Sequence, residues 1–583
     1  MNRSRLAEPV ALVGLTGIVA GAYAWTKASI YNPFGTIDPW LYTALWANFH
    51  QVYHWFIGTY YASRLPWIVP GYVLTSLFGL HTAFFVVHIT YFVAGGLFLY
   101  LTCRRHFGWV PAAAAYTGLT ASQMYFNAHR WDYEEGAVLT YLAAVVCFAT
   151  PSTHSARRRL ASLACAGFFS AALVTTQLVD TVFLVGLPLF WWATFDRSGG
   201  RRSIQLARDL AAFLAGFLIL LALGGVFAVA NGGHFLFFMP QIHFALSTNG
   251  AVYHQSVHVW LREEPYFFTP IFTVVLALVT LFFARPHLSA GSRRMFLAIV
   301  AWTAAVFVIL ATWEFARSGF FFEYAWYFSA FLVPMNITLA GAGASAIAGV
   351  RGSSRNLGAI LLLVASTVAT LSPLLWVYRD DLLSRVAGGA RDAGLDSSQF
   401  ELMALAMVAA LVLTILSRLR QLAIVAILSV ACAFLAVGYG TDASKGTSVN
   451  GFSNPNTGSL YNLGAQEIAF LHQNGFRTLH PYFWFNLGEN PNLLAPLLSL
   501  YFFSYSYVGS NMPTVDLDFK SRMTQYDPNQ LVLVCMDRAC RGGPSALKTA
   551  GYHIQLLRRH RLSSGPLSIW LEIYKLTSKP SSD

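Results

Sequence analysis

Charge is what this sequence has least of. Asp, Glu, Lys and Arg make up 11% of its 583 residues, against roughly 25% in soluble domains. That deficit excludes a self-solvating globule. With 56% hydrophobic residues and a mean hydropathy of +0.51, the chain reads as a polytopic membrane protein. Cysteine is scarce as well. Of the six, Cys103, Cys147, Cys165 and Cys432 lie in or beside apolar runs and read as small core residues. Cys535 and Cys540 stand in a hydrophilic tail, as a disulfide pair or as two free thiols, and two cysteines alone make a poor zinc site. Heptads, solenoid-period repeats, a Walker motif and a dinucleotide-binding fingerprint are all missing. So are the paired, Gly- or Pro-broken inverted halves of a secondary transporter. Acids are fewer than bases, 26 against 38, for a net charge of +12. This does not point to nucleic acid, because the cations fall in short clusters between hydrophobic runs, where they set topology.

Long apolar runs are what the chain has most of. A membrane span needs about 20 apolar residues, and on that rule about 13 spans are expected. They fall near 9–27, 81–103, 109–127, 134–150, 160–177, 179–195, 206–230, 267–284, 294–312, 324–349, 357–377, 400–417 and 420–438. The first reads as a retained signal anchor in preference to a cleaved signal peptide. Basic loops (Arg104/Arg105, Arg157–Arg159, Arg201/Arg202, Arg293/Arg294, Arg351/Arg355, Arg418/Arg420) alternate with acidic ones (Asp38, Asp132/Glu134/Glu135, Glu263/Glu264, Glu314/Glu323, Asp380/Asp381). The positive-inside rule makes the basic set and the N-terminus cytoplasmic. The acidic loops then face the outside, in a bacterium the periplasm. Asp180 is the exception within an apolar run and is assigned to a short outer turn.

The expected organisation is a membrane module over 1–438 with large outer loops at 28–80 and 231–267, a linker over 439–460, and a periplasmic α/β domain over 461–583. In the last, 466–474 reads as a helix, and 477–484, 530–535 and 569–576 read as strands.

Three outer clusters could carry chemistry. The first lies in the polar, aromatic loop Tyr31–Pro70, which contains Asp38-Pro39-Trp40, Tyr60-Tyr61 and Arg64. Asp38 before Pro39 suits an N-cap, and it is also placed to act as a base. The second is His129-Arg130-Trp131-Asp132-Tyr133-Glu134-Glu135. Acids belong in a first helical turn. Hard oxygen ligands also suit Mg²⁺ or Mn²⁺, and Asp38, Asp132 and Glu134 would make such a site. The third brackets Arg317 between Glu314 and Glu323, as a structural ion pair or as a bidentate holder of phosphate. The loop 232–268 reads as a lid.

The order and sidedness of these motifs resemble the GT-C superfamily of integral-membrane glycosyltransferases. Ile37-Asp38-Pro39-Trp40 is similar to the first acidic motif of the oligosaccharyltransferase catalytic subunit. Trp131-Asp132-Tyr133-Glu134-Glu135-Gly136-Ala137 is similar to its second. Tyr60 to Trp67 resembles first-loop segments of the aminoarabinose and protein-mannosyl transferases. The oligosaccharyltransferase signature Trp-Trp-Asp-Tyr-Gly is absent from the C-terminal region, which argues for transfer of one sugar and against transfer of a whole oligosaccharide.

The resemblance implies a GT-C fold and an inverting transferase in the bacterial inner membrane. The donor would be a polyprenyl-phosphate-linked sugar and the acceptor a periplasmic glycan or lipid. Asp38 would be the general base, with Asp132 as a second catalytic acid residue. Arg64, Arg130, Arg317, Tyr61 and Glu135 would bind substrate, and a divalent ion is either held by the acids or dispensed with. The alternatives are a lipid-linked glycan polymerase or ligase, and a transporter or flippase. A transporter would put charges mid-span, whereas here the acids gather at the outer rim.

Overall fold

The structure is a computed structural model. It describes residues 3–25, 37–47, 49–120, 122–129, 133–151, 155–194, 202–247, 269–284, 288–317, 325–352, 466, 480–484, 531–536, 553–564 and 567–577. The expected spans at 357–377, 400–417 and 420–438, and Cys540 of the expected disulfide, lie outside the described residues.

Apolar runs in lipid must satisfy their own backbone, so they become helices. α1 (Arg3–Trp25) is followed by three short helices, α2 (Ile37–Ala47), α3 (Phe49–Phe56) and α4 (Leu65–Phe78). Much of the expected outer loop 28–80 is therefore helical, and Leu41–Trp46, Trp67 and Ile68 are buried. α5 (Leu80–Phe107) is a full-length span. The run 109–127 is broken into α6 (Trp109–Thr120) and α7 (Gln123–Ala128). α8 (Glu135–Ala149) and α9 (Ala156–Thr176) follow. A 3-10 helix, Leu178–Val185, then leads into α10 (Gly186–Thr194). α11 (Arg202–Ala230), α12 (Met239–Ser247), α13 (Thr269–Ala284), α14 (Ala290–Arg317), the short α15 (Ala325–Phe328) and α16 (Leu332–Gly352) complete the described helices. Among the described residues, four segments are long and apolar enough to cross a membrane: Thr82–Phe107, Ala156–Thr176, Ser203–Ala230 and Ala290–Glu314.

α8 is the axis of the bundle. Every described side chain from Glu135 to Cys147 is buried, and the helix packs between α5 and α9. α9 and α11 approach most closely through two glycines. A Cβ on Gly167 would stand 1.9 Å from the Phe213 carbonyl oxygen, and one on Gly216 would stand 1.8 Å from that of Ala164. Small residues of this kind let membrane helices touch backbone to backbone. At the end that carries the basic loops, Arg159 clamps Asp209 with its Nε and Nη2, the latter at 2.7 Å.

The C-terminal region contributes a four-stranded mixed sheet of β1 (His480–Trp484), β2 (Leu531–Met536), β3 (His553–Ser564) and β4 (Leu567–Thr577), in the order β1-β2-β4-β3. β1 and β2 are parallel; the other pairs are antiparallel. Three of the strands were expected. β3 was not, because its Arg558-Arg559-His560-Arg561 run hides the alternation.

Candidate active site

The first acidic residue, Asp38, lies in the first turn of α2 and not ahead of it. α2 packs against α4, and the residue one turn after Asp38 is the buried Tyr42. Arg64 stands immediately before α4. Its carbonyl accepts the amides of Trp67 and Ile68, both at 3.0 Å, so the helix start fixes its backbone. Pro66 in that first turn costs no helical hydrogen bond.

The Arg64 side chain is buried and forms an ion pair with Glu134, which has 0% exposure. The guanidinium carbon lies 5.5, 5.3 and 5.2 Å from the ring centres of Tyr42, Tyr60 and Tyr133. Arg64 also hydrogen-bonds the Tyr133 hydroxyl. An arginine suits such a cage, because its delocalised, weakly hydrated charge stacks on aromatic faces. Burial opposes the guanidinium charge, but Glu134 outweighs it and holds the group protonated well above the usual arginine range.

Two further carboxylates meet this pair. Glu135 opens α8 and is buried. Asp180 comes from the 3-10 helix after α9, at 0% exposure. Asp180 interacts electrostatically with Glu134 and Arg64, and Glu135 with all three. Three carboxyl groups therefore crowd one guanidinium in a low-dielectric core, where burial first and the neighbouring carboxylates second oppose ionising all three. Among the described residues, the carboxylates of Glu135 and Asp180, the Gln177 amide and the Thr181 hydroxyl have no hydrogen-bond partner. The arrangement is able to hold a cationic or strongly hydrogen-bonding group against an acidic wall.

His129 supports this wall from behind. Its Nδ1 donates to the Tyr125 carbonyl at 2.8 Å, and its own carbonyl accepts the Tyr23 hydroxyl at 2.7 Å. Gly136, next to Glu135, is what lets the imidazole in, since a Cβ there would meet the ring at 2.9 Å. Burial pushes the His129 imidazole down to about 3, so it is neutral at working pH. From the second outer loop, Phe244 of α12 stacks on Tyr60 at 4.6 Å, and Gln241 donates to the Thr175 carbonyl at 2.8 Å. The rest of the expected lid, 248–268, lies outside the described residues.

Of the expected site residues, Arg64, Glu134 and Glu135 are brought together. Tyr61 stands one layer out, 3.9 Å from Tyr60 and 6.4 Å from Tyr42 between ring centres. Arg317 is the last residue of α14. Its side chain, that of Asp38, and the whole of Arg130 and Asp132 lie outside the described residues. Sequence reasoning missed Tyr42, Tyr60 and Tyr133 as cage residues and did not bring Asp180, expected in a short outer turn, into the site, where it is buried in a 3-10 helix beside Glu134 and Arg64. An acid in an apolar run is itself a functional signal, and that signal was available at Asp180.

No protein-family model matches the sequence, and no characterised protein matches it at the level of sequence. Solved structures do. ArnT from Cupriavidus metallidurans in the apo state is 16% identical, over 98% of each chain, with a TM-score of 0.54. The same protein bound to undecaprenyl phosphate gives 16%, 97% of each chain and 0.56. The oligosaccharyltransferase AglB from Archaeoglobus fulgidus is more distant, at 11%, 90% of this chain, 69% of that one and 0.40. This chain is thus a polytopic helical membrane protein of the GT-C fold. Its fold is similar to that of ArnT over 98% of each chain.

Proposed function

We propose that this chain is a membrane glycosyltransferase. It moves one sugar from a polyprenyl-phosphate donor to a periplasmic glycan or lipid acceptor. The observation that carries this reading is a GT-C fold shared over nearly the full length of both chains with ArnT, one structure of which holds undecaprenyl phosphate. Lipid-linked donors also suit a site on the outer face, where nucleotide sugars do not reach.

In this reading Asp38 takes the proton from the acceptor hydroxyl as that oxygen attacks the anomeric carbon. The bond to the phosphate oxygen breaks with inversion, and Arg64, Arg130 and Arg317 neutralise the departing phosphate. Tyr61 and Glu135 contact substrate, and Asp132 orients the acceptor. In the same reading the N-terminus is cytoplasmic, the domain 461–583 is periplasmic, and these groups face the outer side of a bacterial inner membrane. Of the three groups proposed to hold Mg²⁺ or Mn²⁺, Glu134 is ion-paired with Arg64, and the side chains of Asp38 and Asp132 lie outside the described residues.

The test is transfer from a polyprenyl-phosphate sugar by purified protein. Asp38→Asn should keep its thermal unfolding profile and lose about 10²–10⁴-fold in rate, the usual contribution of a general base. Wild-type activity in that variant overturns the base assignment. Absence of transfer from every polyprenyl-phosphate donor by the wild type overturns the reading itself. An EDTA arm, with Mg²⁺ or Mn²⁺ added back, decides metal dependence.

A further inference from the structure

We propose that the β3–β4 hairpin is a docking edge for an anionic membrane surface. β3 is the edge strand of the sheet and runs for 12 residues. Residues 553–577 carry Arg558, Arg559, Arg561 and Lys575 against one acid, Glu572, so four positive and one negative charge leave +3. Arg559 neutralises that acid at 2.6 Å. The register sets Arg561 opposite Trp570, and the guanidinium lies 5.9 Å from the indole centre. Arg558 and Lys575 are exposed.

Edge strands often carry charge to prevent pairing with a foreign strand. That would account for the arginines. It does not account for the large apolar groups exposed on the same edge, Trp570 at 44%, Leu556 at 45% and Leu557 at 38%, of which Trp570 and Leu556 share a face with Arg559 and Arg561, while Arg558 and Lys575 lie on the other. Leu557 is the residue left over at the β-bulge between Leu556 and Arg558. Tryptophan beside arginine and leucine is the composition of the membrane interface. There the indole sits at headgroup level, the aliphatic stems lie along apolar surface, and the cationic heads meet phosphate. Anionic headgroups attract such clusters.

The occupant is also close by construction. The expected last apolar run ends at 438 and β1 begins at His480, so residues 439–479 tether the sheet to the bilayer and raise its effective concentration there. The docked domain needs no partner protein.

The experiment uses the full chain in nanodiscs, of phosphatidylcholine alone or mixed equally with phosphatidylglycerol. Amide exchange is followed across 553–577 by mass spectrometry. Exchange in β3 should slow several-fold in the anionic discs. The protection should vanish in high salt and in Arg558→Glu/Arg561→Glu, and it should weaken in Trp570→Ser, which changes no charge. Slow exchange across β2 in each variant verifies that the sheet is folded. Equal exchange in both lipids overturns the proposal. So does protection that arises in neutral discs only when a soluble phosphorylated saccharide is added, which would make the hairpin a glycan site.

Discussion

At the scale of single residues, the Arg64–Glu134 pair is the sharpest test of what the core is for. Removing one partner of a buried pair leaves an uncompensated charge, a loss of about 3–5 kcal/mol. Arg64→Ala, which leaves Glu134 beside Glu135 and Asp180, should therefore lower unfolding stability in detergent by about that much. Replacing both partners by apolar residues of similar size is often neutral, so Arg64→Met/Glu134→Leu should recover most of the stability. If the pair serves the reaction, the double variant will be stable and inactive. An active double variant would reduce the pair to packing. His129 gives a pH signature. Its folded value of about 3 lies below the ordinary 6.5, so its contribution to stability is complete above pH 6.5 and is lost as pH falls toward 3. The acid-side loss of stability should shrink in His129→Gln; an unchanged profile would assign it to other groups.

What could be read at this scale divides by residue type. Arg64, Glu134 and Glu135 were legible because charged groups beside apolar runs are conspicuous. Tyr42, Tyr60 and Tyr133 were not, because aromatics are 15% of the chain and their sequence carries no sign of which will ring a guanidinium. Asp180 was visible but not joined to the site, since a 3-10 turn that buries an acid has the same composition as one that exposes it.

At the scale of elements, the α9–α11 crossing rests on a backbone carbonyl of each helix seated directly against a glycine of the other, Phe213 of α11 against Gly167 of α9 and Ala164 of α9 against Gly216 of α11. Leucine at either position has no space to enter, and the cost should reach the upper end of the roughly 1–3 kcal/mol of overpacking, or exceed it. Gly167→Ala should already lower thermal stability in detergent, while Gly14→Ala in α1, where a Cβ meets nothing within 4 Å, should not. Equal tolerance at both sites would contradict the packing. Helix positions were largely legible, because span length and hydropathy are imposed by the bilayer. α2, α3 and α4 were not foreseen as a set. Their apolar surface is too short to span, and polar and aromatic composition alone does not separate a loop from short surface helices.

For the whole molecule, the alternation of basic and acidic loops carries the topology, and substituted-cysteine labelling tests it. Single cysteines introduced at Ser155 and Ser203 should react only with a permeant thiol reagent, and one at Ser568 should react with an impermeant reagent in intact cells. Labelling of Ser568→Cys only after lysis would place the sheet inside and remove it from the side of the proposed site. The GT-C architecture was legible from two short acidic motifs and their sidedness, although the sequence matches no characterised protein.

The Arg64–Glu134 pair also has a consequence for how the chain is made. Its two halves are separated by 134 − 64, or 70, residues and by the span α5. A ribosome delivers the arginine well before the glutamate that neutralises it. Until α8 has entered the bilayer, the first helices present an unmatched cation at the membrane surface, and the cage of Tyr42, Tyr60 and Tyr133 stays open on one side. Closure of the pair thus waits until the start of α8 has been made, and the cluster is complete only with Asp180. A quality-control protease that reads exposed charge next to apolar helices would have its window up to that moment and not after it.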